Sequence, residues 1–557
     1  MLIRDVFGMD FTPGKVTWKV RLLERHGIEN LTLPDGNVVS LVCEQRKSAD
    51  EKPVVRVTST RPIEVVLEPR ADASQAVDDA RNLAAILRDM RKDVAGLNLN
   101  VGYPGKFLEV PDDVPAKRVQ KFVTRVVDLR RDGELYDVGE ESIGYVEAEC
   151  ASKPTLYFGE SKAEAMNDNP AFFEQTNLVV EVKSGVWRTP LPVALRYFRF
   201  KGEQPKAVRF VEEIADVKDR VPFSGTEREM AMRKAALRTL RLCMREFLID
   251  GVKRDRLPWA GDLTVSLLAD AASYRDAEIV KRTLVVLDSA GWKAGDINGI
   301  VDYSLWHVIS HDMFQENFGD LEFLREQYPN VAGRLESFVD RVGESGLVDA
   351  AALKRNPTWL FIDWTGSESQ STTALNMIYY GALQAGARLA DRLGEKADAE
   401  RWRTRASRVK AALKAKAWDA ERGLFRFSVD EDGAKPGHFT RHGNIYAVIF
   451  GVAGGSELKS IGAALVGEEL SPVGTPYVAA YEAMALIRCG RKADARRLVE
   501  KVWGGMLDAG ATSFWEGFDA NEKGDEMWRF YGRPYGKSLC HAWSSAPVFL
   551  LPMLKEP

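Results

Sequence analysis

The chain has 557 residues, too many for one ordinary core, so two or three domains are expected. Apolar residues make up 45% and charged residues 28%, the balance of a globular protein in water. The formal charge of −4 argues against a nucleic-acid or anionic-membrane partner.

Nothing in the sequence offers about 18 consecutive apolar residues to span a bilayer. Met1-Leu2-Ile3-Arg4-Asp5 lacks the charged-then-apolar order of an export signal. A cytoplasmic location is therefore expected, or export if a signal segment has been removed. Cys43, Cys150, Cys243, Cys489 and Cys540 are odd in number and show neither metal-type spacing nor a disulfide framework. The histidines form no HExxH pair. No metal and no cofactor are expected.

Along the chain, roughly the first 215 residues read as strands. The stretches 54–60, 63–67 and 193–200 alternate or run β-branched and aromatic. One helical interruption is expected over 76–90, where Val77, Ala80, Leu83, Ala84 and Leu87 recur at helical spacing. This predicts a β-sandwich-type N-terminal domain over 1–215.

From Ser224 the period changes. The run Ser224-Gly225-Thr226-Glu227 signals a helix start, and Met230, Met232, Ala236, Leu237, Leu240, Leu242, Met244 and Leu248 follow at helical spacing. About a dozen helices are expected, beginning near 225, 262, 276, 302, 320, 371, 396, 438, 455, 475, 491 and 541. One short hairpin arm interrupts them over 424–428. A solenoid would show a repeat of fixed period. None is visible, so a closed double ring of inner and outer helices, an (α/α)6 barrel over 216–557, is expected.

Two clusters carry chemistry. Asp250-Gly251-Val252-Lys253-Arg254-Asp255-Arg256-Leu257-Pro258-Trp259-Ala260-Gly261-Asp262 sets three carboxyls and a tryptophan on a turn, with Gly251, Pro258 and Gly261 expected to break the helix. Gly510-Ala511-Thr512-Ser513-Phe514-Trp515-Glu516-Gly517-Phe518-Asp519 is the second. Rigid elements that present acids on loops are a common way to build a catalytic site, and the pair suggests carboxylates facing each other across a sugar. The thirteen tryptophans suit stacking on a sugar ring, although most aromatics serve the core. Gly451-Val452-Ala453-Gly454-Gly455 lacks the strand–turn–helix setting of a dinucleotide site. Gly159-Glu160-Ser161-Lys162 is not a nucleophile elbow.

Those two clusters, with the late Ser538-Leu539-Cys540-His541, resemble the α-L-rhamnosidases of glycoside hydrolase family 78. Asp302-Tyr303-Ser304-Leu305-Trp306, Thr475-Pro476-Tyr477 and Gly159-Glu160-Ser161-Lys162-Ala163-Glu164-Ala165 add to the resemblance, which covers about residues 155–557. It implies an (α/α)6 barrel preceded by β-sandwich material, and exo-hydrolysis of terminal α-L-rhamnose from oligosaccharides or glycosides with inversion.

Inversion needs a carboxylic acid for the leaving oxygen and a carboxylate for the water, roughly 6.5–9.5 Å apart. By motif position Asp255 resembles the acid and Glu516 the base. Relatives often have Glu at the acid position, and Asp is one methylene shorter. Arg254 and Arg256 flank Asp255, and a nearby cation disfavours its protonated form. If both point away, burial beside Trp259 would act the other way. Asp250, Arg254, Asp262 and His541 resemble sugar-binding residues, while Asp262 also suits a helix start on dipole grounds alone. Trp259 and Trp515 are expected walls for the ring and its methyl, with Trp306 and Trp364 behind them, or in the core. His442 and Asn444 are read as packing. Two alternatives stay open: the same toroid hydrolysing another sugar, and a non-catalytic oligosaccharide binder.

Overall fold

The computed structural model describes residues 9–68 and 120–555, apart from 13, 21–23, 34–35, 48–50, 290, 351–352, 354–358, 365–369 and 431–436. The helix expected over 76–90 lies outside the described residues. The chain divides into two compact units, 1–90 with 101–119, and 91–100 with 120–557.

Within the first unit, strands β1 (Met9–Thr12), β2 (Lys15–Lys19) and β6 (Glu64–Glu68) form one sheet, in which β2 and β6 run parallel. Strands β3 (His26–Thr32), β4 (Val38–Cys43) and β5 (Val55–Ser59) form an antiparallel second sheet. Met9, Val16, Trp18, Leu41 and Cys43 make its small core.

An antiparallel eight-stranded sheet opens the second unit. It comprises β7 (Phe122–Val127), β8 (Arg130–Asp132), β9 (Leu135–Glu149), β10 (Thr155–Gly159), β11 (Val180–Lys183), β12 (Val186–Arg188), β13 (Val193–Lys201) and β14 (Ala207–Ala215). The long β9 is its spine, pairing with β13 along one part of its length and with β14 and β12 along another. Helix α1 (Lys162–Met166) follows β10.

The helices begin at α2 (Glu227–Cys243). Its capping box is Thr226 with Glu229, two residues beyond the sequence signal. It ends at Cys243 rather than Leu248, because Met244 and Leu248 pair across a tight turn. Then follow α3 (Ala260–Ala271), α4 (Ala277–Leu287), α5 (Val301–Asn317), α6 (Leu321–Ser337), α7 (Thr372–Leu393) and α8 (Lys396–Lys416). Strands β15 (Trp418–Asp419) and β16 (Leu424–Phe425) form the short expected hairpin. The rest are α9 (Arg441–Ile449), α10 (Glu457–Val466), α11 (Pro476–Arg488), α12 (Lys492–Val499), α13 (Gly505–Asp508) and α14 (Pro547–Met553).

Burial sorts these helices into two rings. Helix α4 buries one stripe, Ile279, Val280, Thr283, Leu284 and Val286, whereas α7 is buried nearly all round, Tyr379 and Tyr380 included. A helix apolar on one face lies outside, and one apolar on all faces lies inside. By that test α3, α5, α7, α9, α11 and α14 are inner. They alternate in sequence with outer α2, α4, α6, α8, α10 and the α12–α13 pair. Helix α14 packs on α2 and α11, closing the ring. The fold class is therefore the expected one: β-sheet material followed by a six-hairpin helical barrel.

Sheet and barrel share a core. Ile143, Ala194 and Ile214 pack with Leu242, Cys243, Ile249, Val252, Cys540 and Ala542. Burial of apolar surface at about 25 cal/mol per Å² fixes this face of the sheet against the loop that carries the first acidic cluster and against the stretch around His541. No helix among the described residues is long and apolar enough to cross a membrane.

Candidate active site

Each inner helix is entered by a loop on one rim of the barrel, and the candidate residues sit there. Asp262 and Asp302 lie in the first turns of α3 and α5. Asp363 and Trp364 precede α7, His442 opens α9, Thr475 caps α11, and Glu516 and His541 lie on the approach to α14. Helix N-termini place partial positive charge on this rim, a setting that favours carboxylates.

The two acidic clusters meet through Arg254. Its Nη2 lies 2.6 Å from each oxygen of Glu516, and its other arm donates to the Gly536 carbonyl. Glu516, only 2% exposed, also accepts from the Ser538 N–H at 3.0 Å and the Tyr531 hydroxyl at 2.8 Å. Burial acts to raise its pKa. The Arg254 guanidinium foremost, with the bond from the Ser538 N–H, outweighs burial and leaves it below the usual glutamate value. Glu516 is a buried carboxylate kept charged.

The Asp262 and Asp250 carboxyls are shifted the other way. Burial, with the Glu516 carboxylate and the neighbouring Asp255 carboxyl, pushes Asp262 up to about 8. Burial and coupling to the Asp255 and Asp262 carboxyls push Asp250 well up too. One Asp250 oxygen accepts from the Leu257 N–H at 3.1 Å, closing the turn on itself. Asp255 is the exposed member of the three, and its carboxyl is electrostatically coupled to Asp250, Asp262 and Arg254. Its φ is +53° and that of Arg256 is +55°. Two successive non-glycine residues in the left-handed region store strain of about 1–3 kcal/mol each. Arg256 holds them there by donating to the Val252 and Pro192 carbonyls at 2.6 and 2.7 Å and to Gln175 at 2.7 Å. Both flanking arginines thus have partners other than Asp255: Glu516 for Arg254, and the sheet side of the loop for Arg256.

His541 is 4% exposed and packs on Trp543 at 4.1 Å. Burial pushes its pKa down to about 4. Its Nδ1 lies 3.7 Å from Asp262 Oδ1. With Asp262 protonated and His541 neutral at pH 7, this contact is not an ion pair.

Of the aromatic candidates, Trp259 is half-buried at the start of α3 and meets Tyr303 edge-on at 6.3 Å. Trp364 is 37% exposed and meets Tyr531 edge-on at 5.3 Å. Trp306 takes the core placement left open above, and Trp515 is buried as well. Trp306 is fully buried, stacked on Tyr481 at 5.2 Å with Tyr446 and Tyr477 around it. Trp515 is 3% exposed beneath Phe518 and Trp528. The cause is position: Trp306 lies one turn inside an inner helix, below the rim.

Asp363 and His442 tie loops together. Asp363 accepts from the Trp364 and Gly474 N–H groups at 2.8 and 2.7 Å, from the Thr475 hydroxyl at 2.7 Å and from His442 Nε2 at 2.8 Å. Asn444 bonds the Phe425 backbone through both its amide ends.

Sequence reasoning passed over Lys253, Glu160, Tyr303 and Tyr531. The Lys253 ammonium is buried and lies 3.2 Å from Glu160 and 3.0 Å from Glu164, and it donates to the Tyr535 and Lys537 carbonyls, both at 2.9 Å. Glu160 in turn accepts from the Leu539 N–H at 2.5 Å. So Gly159–Ala165, seen in the sequence only as a resemblance, anchors the loops bearing Arg254 and Ser538. A lysine inside an otherwise buried turn was the available signal.

The model of the bacterial α-L-rhamnosidase six-hairpin glycosidase domain matches residues 228–553. No curated protein sequence matches the chain. Among solved structures, a Klebsiella oxytoca rhamnosidase with rhamnose bound is 22% identical at a TM-score of 0.64, over 77% of this chain and 95% of that one. A family 78 rhamnosidase of Bacillus sp. GL1 is 20% identical at 0.63, over 77% and 47%. A Streptomyces avermitilis α-L-rhamnosidase complexed with L-rhamnose is 16% identical at 0.58, over 77% and 43%. The chain thus spans nearly all of the first and about half of each of the other two. At these identities the structures speak for the fold, and the matched domain speaks for the family: this chain belongs to the bacterial α-L-rhamnosidase six-hairpin glycosidases and is a glycoside hydrolase.

Proposed function

We propose that the chain releases terminal α-L-rhamnose from oligosaccharides or glycosides by single displacement with inversion. Glu516 acts as general base and Asp255 as general acid. The observation that carries this reading is the split of protonation states: Glu516 held charged by Arg254, beside Asp262, which is pushed up to about 8 and keeps its proton at pH 7. Groups whose environments drive their pKa values apart are the mark of acid and base roles.

In the reaction the glycosidic oxygen takes a proton from Asp255 as its bond to the anomeric carbon breaks. Water attacks the opposite face and passes a proton to Glu516. Asp255 suits the acid role because it is the exposed carboxyl of the turn, where a leaving group pointing to solvent would meet it. Asp250, Asp262, Arg254 and His541 hold the sugar. Protonated Asp262 and neutral His541 offer a donor and an acceptor 3.7 Å apart for a ring hydroxyl. Trp259 and Trp364 flank the ring. The rhamnose bound to the Klebsiella protein and the L-rhamnose in the Streptomyces complex support rhamnose as the sugar. Catalysis belongs to residues 216–557 with 1–215 in support, a division favoured by the change from strand to helix between Ala215 and Glu227. The unpaired cysteines support a reducing, cytoplasmic setting.

Release of rhamnose from an aryl α-L-rhamnoside, with the fresh anomer read by NMR, tests the whole. Inverted product and a loss of about 10²–10⁴ in kcat for Glu516→Gln are expected; retained configuration would refute it. Asp255→Asn should spare substrates whose leaving group needs no proton and lose the others. If Asp262→Asn shows that pattern instead, the acid is Asp262.

A further inference from the structure

Tyr531 stands beside the base in an unusual state. Its φ is +49°, a left-handed conformation that side chains other than glycine rarely adopt. It is 44% exposed, yet its hydroxyl donates to Glu516 Oε1 at 2.8 Å. The ring lies 4.6 Å from the Arg254 guanidinium and meets Trp364 edge-on at 5.3 Å and Phe530 edge-on at 4.6 Å. The residue is exposed by its ring while the polar tip is turned inward.

A carboxylate has about four in-plane acceptor positions. Those of Glu516 are taken by Arg254 on both oxygens, Ser538 on Oε2 and Tyr531 on Oε1. A water that gives its proton to Glu516 must first donate to one of these positions. Arg254 is fixed by the Gly536 carbonyl as well. The Ser538 N–H is fixed by the reciprocal bond from the Glu516 N–H to its carbonyl at 2.9 Å. Among these donors the Tyr531 hydroxyl belongs to the most exposed side chain.

We propose that Tyr531 holds the place of the attacking water in the free enzyme, capping Oε1 of Glu516, and gives up that place when the sugar enters. The inference rests on Glu516 as the base. Tyr531 is then a positioning residue: it keeps Glu516 ionised and in its working orientation between turnovers. Displacement of the phenol couples filling of the sugar site to delivery of water. The charged and titratable groups facing Glu516 are Arg254, His541, Asp262 and Tyr531, so removing the phenol leaves the other three in place.

The test is the pH dependence of kcat/KM and of kcat on an aryl α-L-rhamnoside, for the full chain and its Tyr531→Phe variant. The first reports ionisations of the free enzyme and the second those of the complex. Loss of a donor to the ionised form raises the Glu516 pKa, so the acidic limb of kcat/KM should move up by about one pH unit. The acidic limb of kcat should stay where it is in the parent, because the hydroxyl has already left. Equal shifts in both limbs would mean that Tyr531 never leaves, and no shift in either would mean that it does not cap the base; each overturns the proposal. Failure of the underlying reading is told apart by Glu516→Gln: turnover that survives that change removes Glu516 as base whatever Tyr531→Phe does.

Discussion

His541 Nδ1 faces Asp262 Oδ1 at 3.7 Å, and neither atom is hydrogen-bonded elsewhere among the described residues. An imidazole pushed down to about 4 and a carboxyl pushed up to about 8 make a neutral donor–acceptor pair across most of the physiological range. In a pocket already holding the Glu516 charge, neutrality of this pair spares a second buried anion, whose desolvation is costly.

Binding should weaken once Asp262 ionises. KM for a rhamnoside is expected to rise above pH 8, approaching tenfold per pH unit, since the carboxyl then loses its donor and repels Glu516. Asp262→Asn keeps a donor and cannot ionise, so its KM should stay flat there. A variant whose KM climbs as the parent's does would show that Asp262 is not the group responsible.

The same carboxyl makes the fold less stable as pH rises. Its folded pKa of about 8 lies above the ordinary 3.8. Between those values the native state binds more protons than the unfolded one, and stability falls by up to about 1.4 kcal/mol per pH unit. Urea midpoints at pH 5 and pH 8 should therefore drop more for the parent than for Asp262→Asn. Identical drops would sink the claim that Asp262 is buried with its proton.

Lys253→Met would leave Glu160 and Glu164 without their counter-ion. Breaking a buried pair from one side costs about 3–5 kcal/mol, so a clear fall in melting temperature is expected. Glu164, already pushed up to about 7 by burial, escapes part of the cost by taking a proton. The fall should accordingly be larger at pH 8 than at pH 6, and a pH-independent loss would rule out the uncompensated charge as its cause.

Gly261→Ala is the smallest change that should reach the site. A Cβ there would sit 2.5 Å from the Tyr303 ring, and the Tyr303 hydroxyl lies 3.4 Å from Asp262. Overpacking of this kind costs about 1–3 kcal/mol. Reduced stability together with a raised KM is expected; unchanged values for both would show that Tyr303 can move aside freely. The close approach also corrects the reading of Gly261 as a helix breaker. It lies inside the first turn of α3, required by a neighbouring ring rather than by a turn.

The sequence by itself determined the alternation of helices, because each outer helix needs one apolar stripe and each inner helix needs apolar residues nearly all round, and both patterns are local. It also determined the two acidic clusters, since Gly251, Pro258 and the Gly510 turn are read along the chain. Only the tertiary structure decided which carboxyl carries charge. Arg254 lies four residues from Asp250 and one from Asp255, yet it pairs with Glu516, 262 positions away. Only the fold put Trp306 below the rim and brought Lys253 to two glutamates of the sheet. Protonation states follow from burial and from partners distant in sequence, and neither is a property of local spacing.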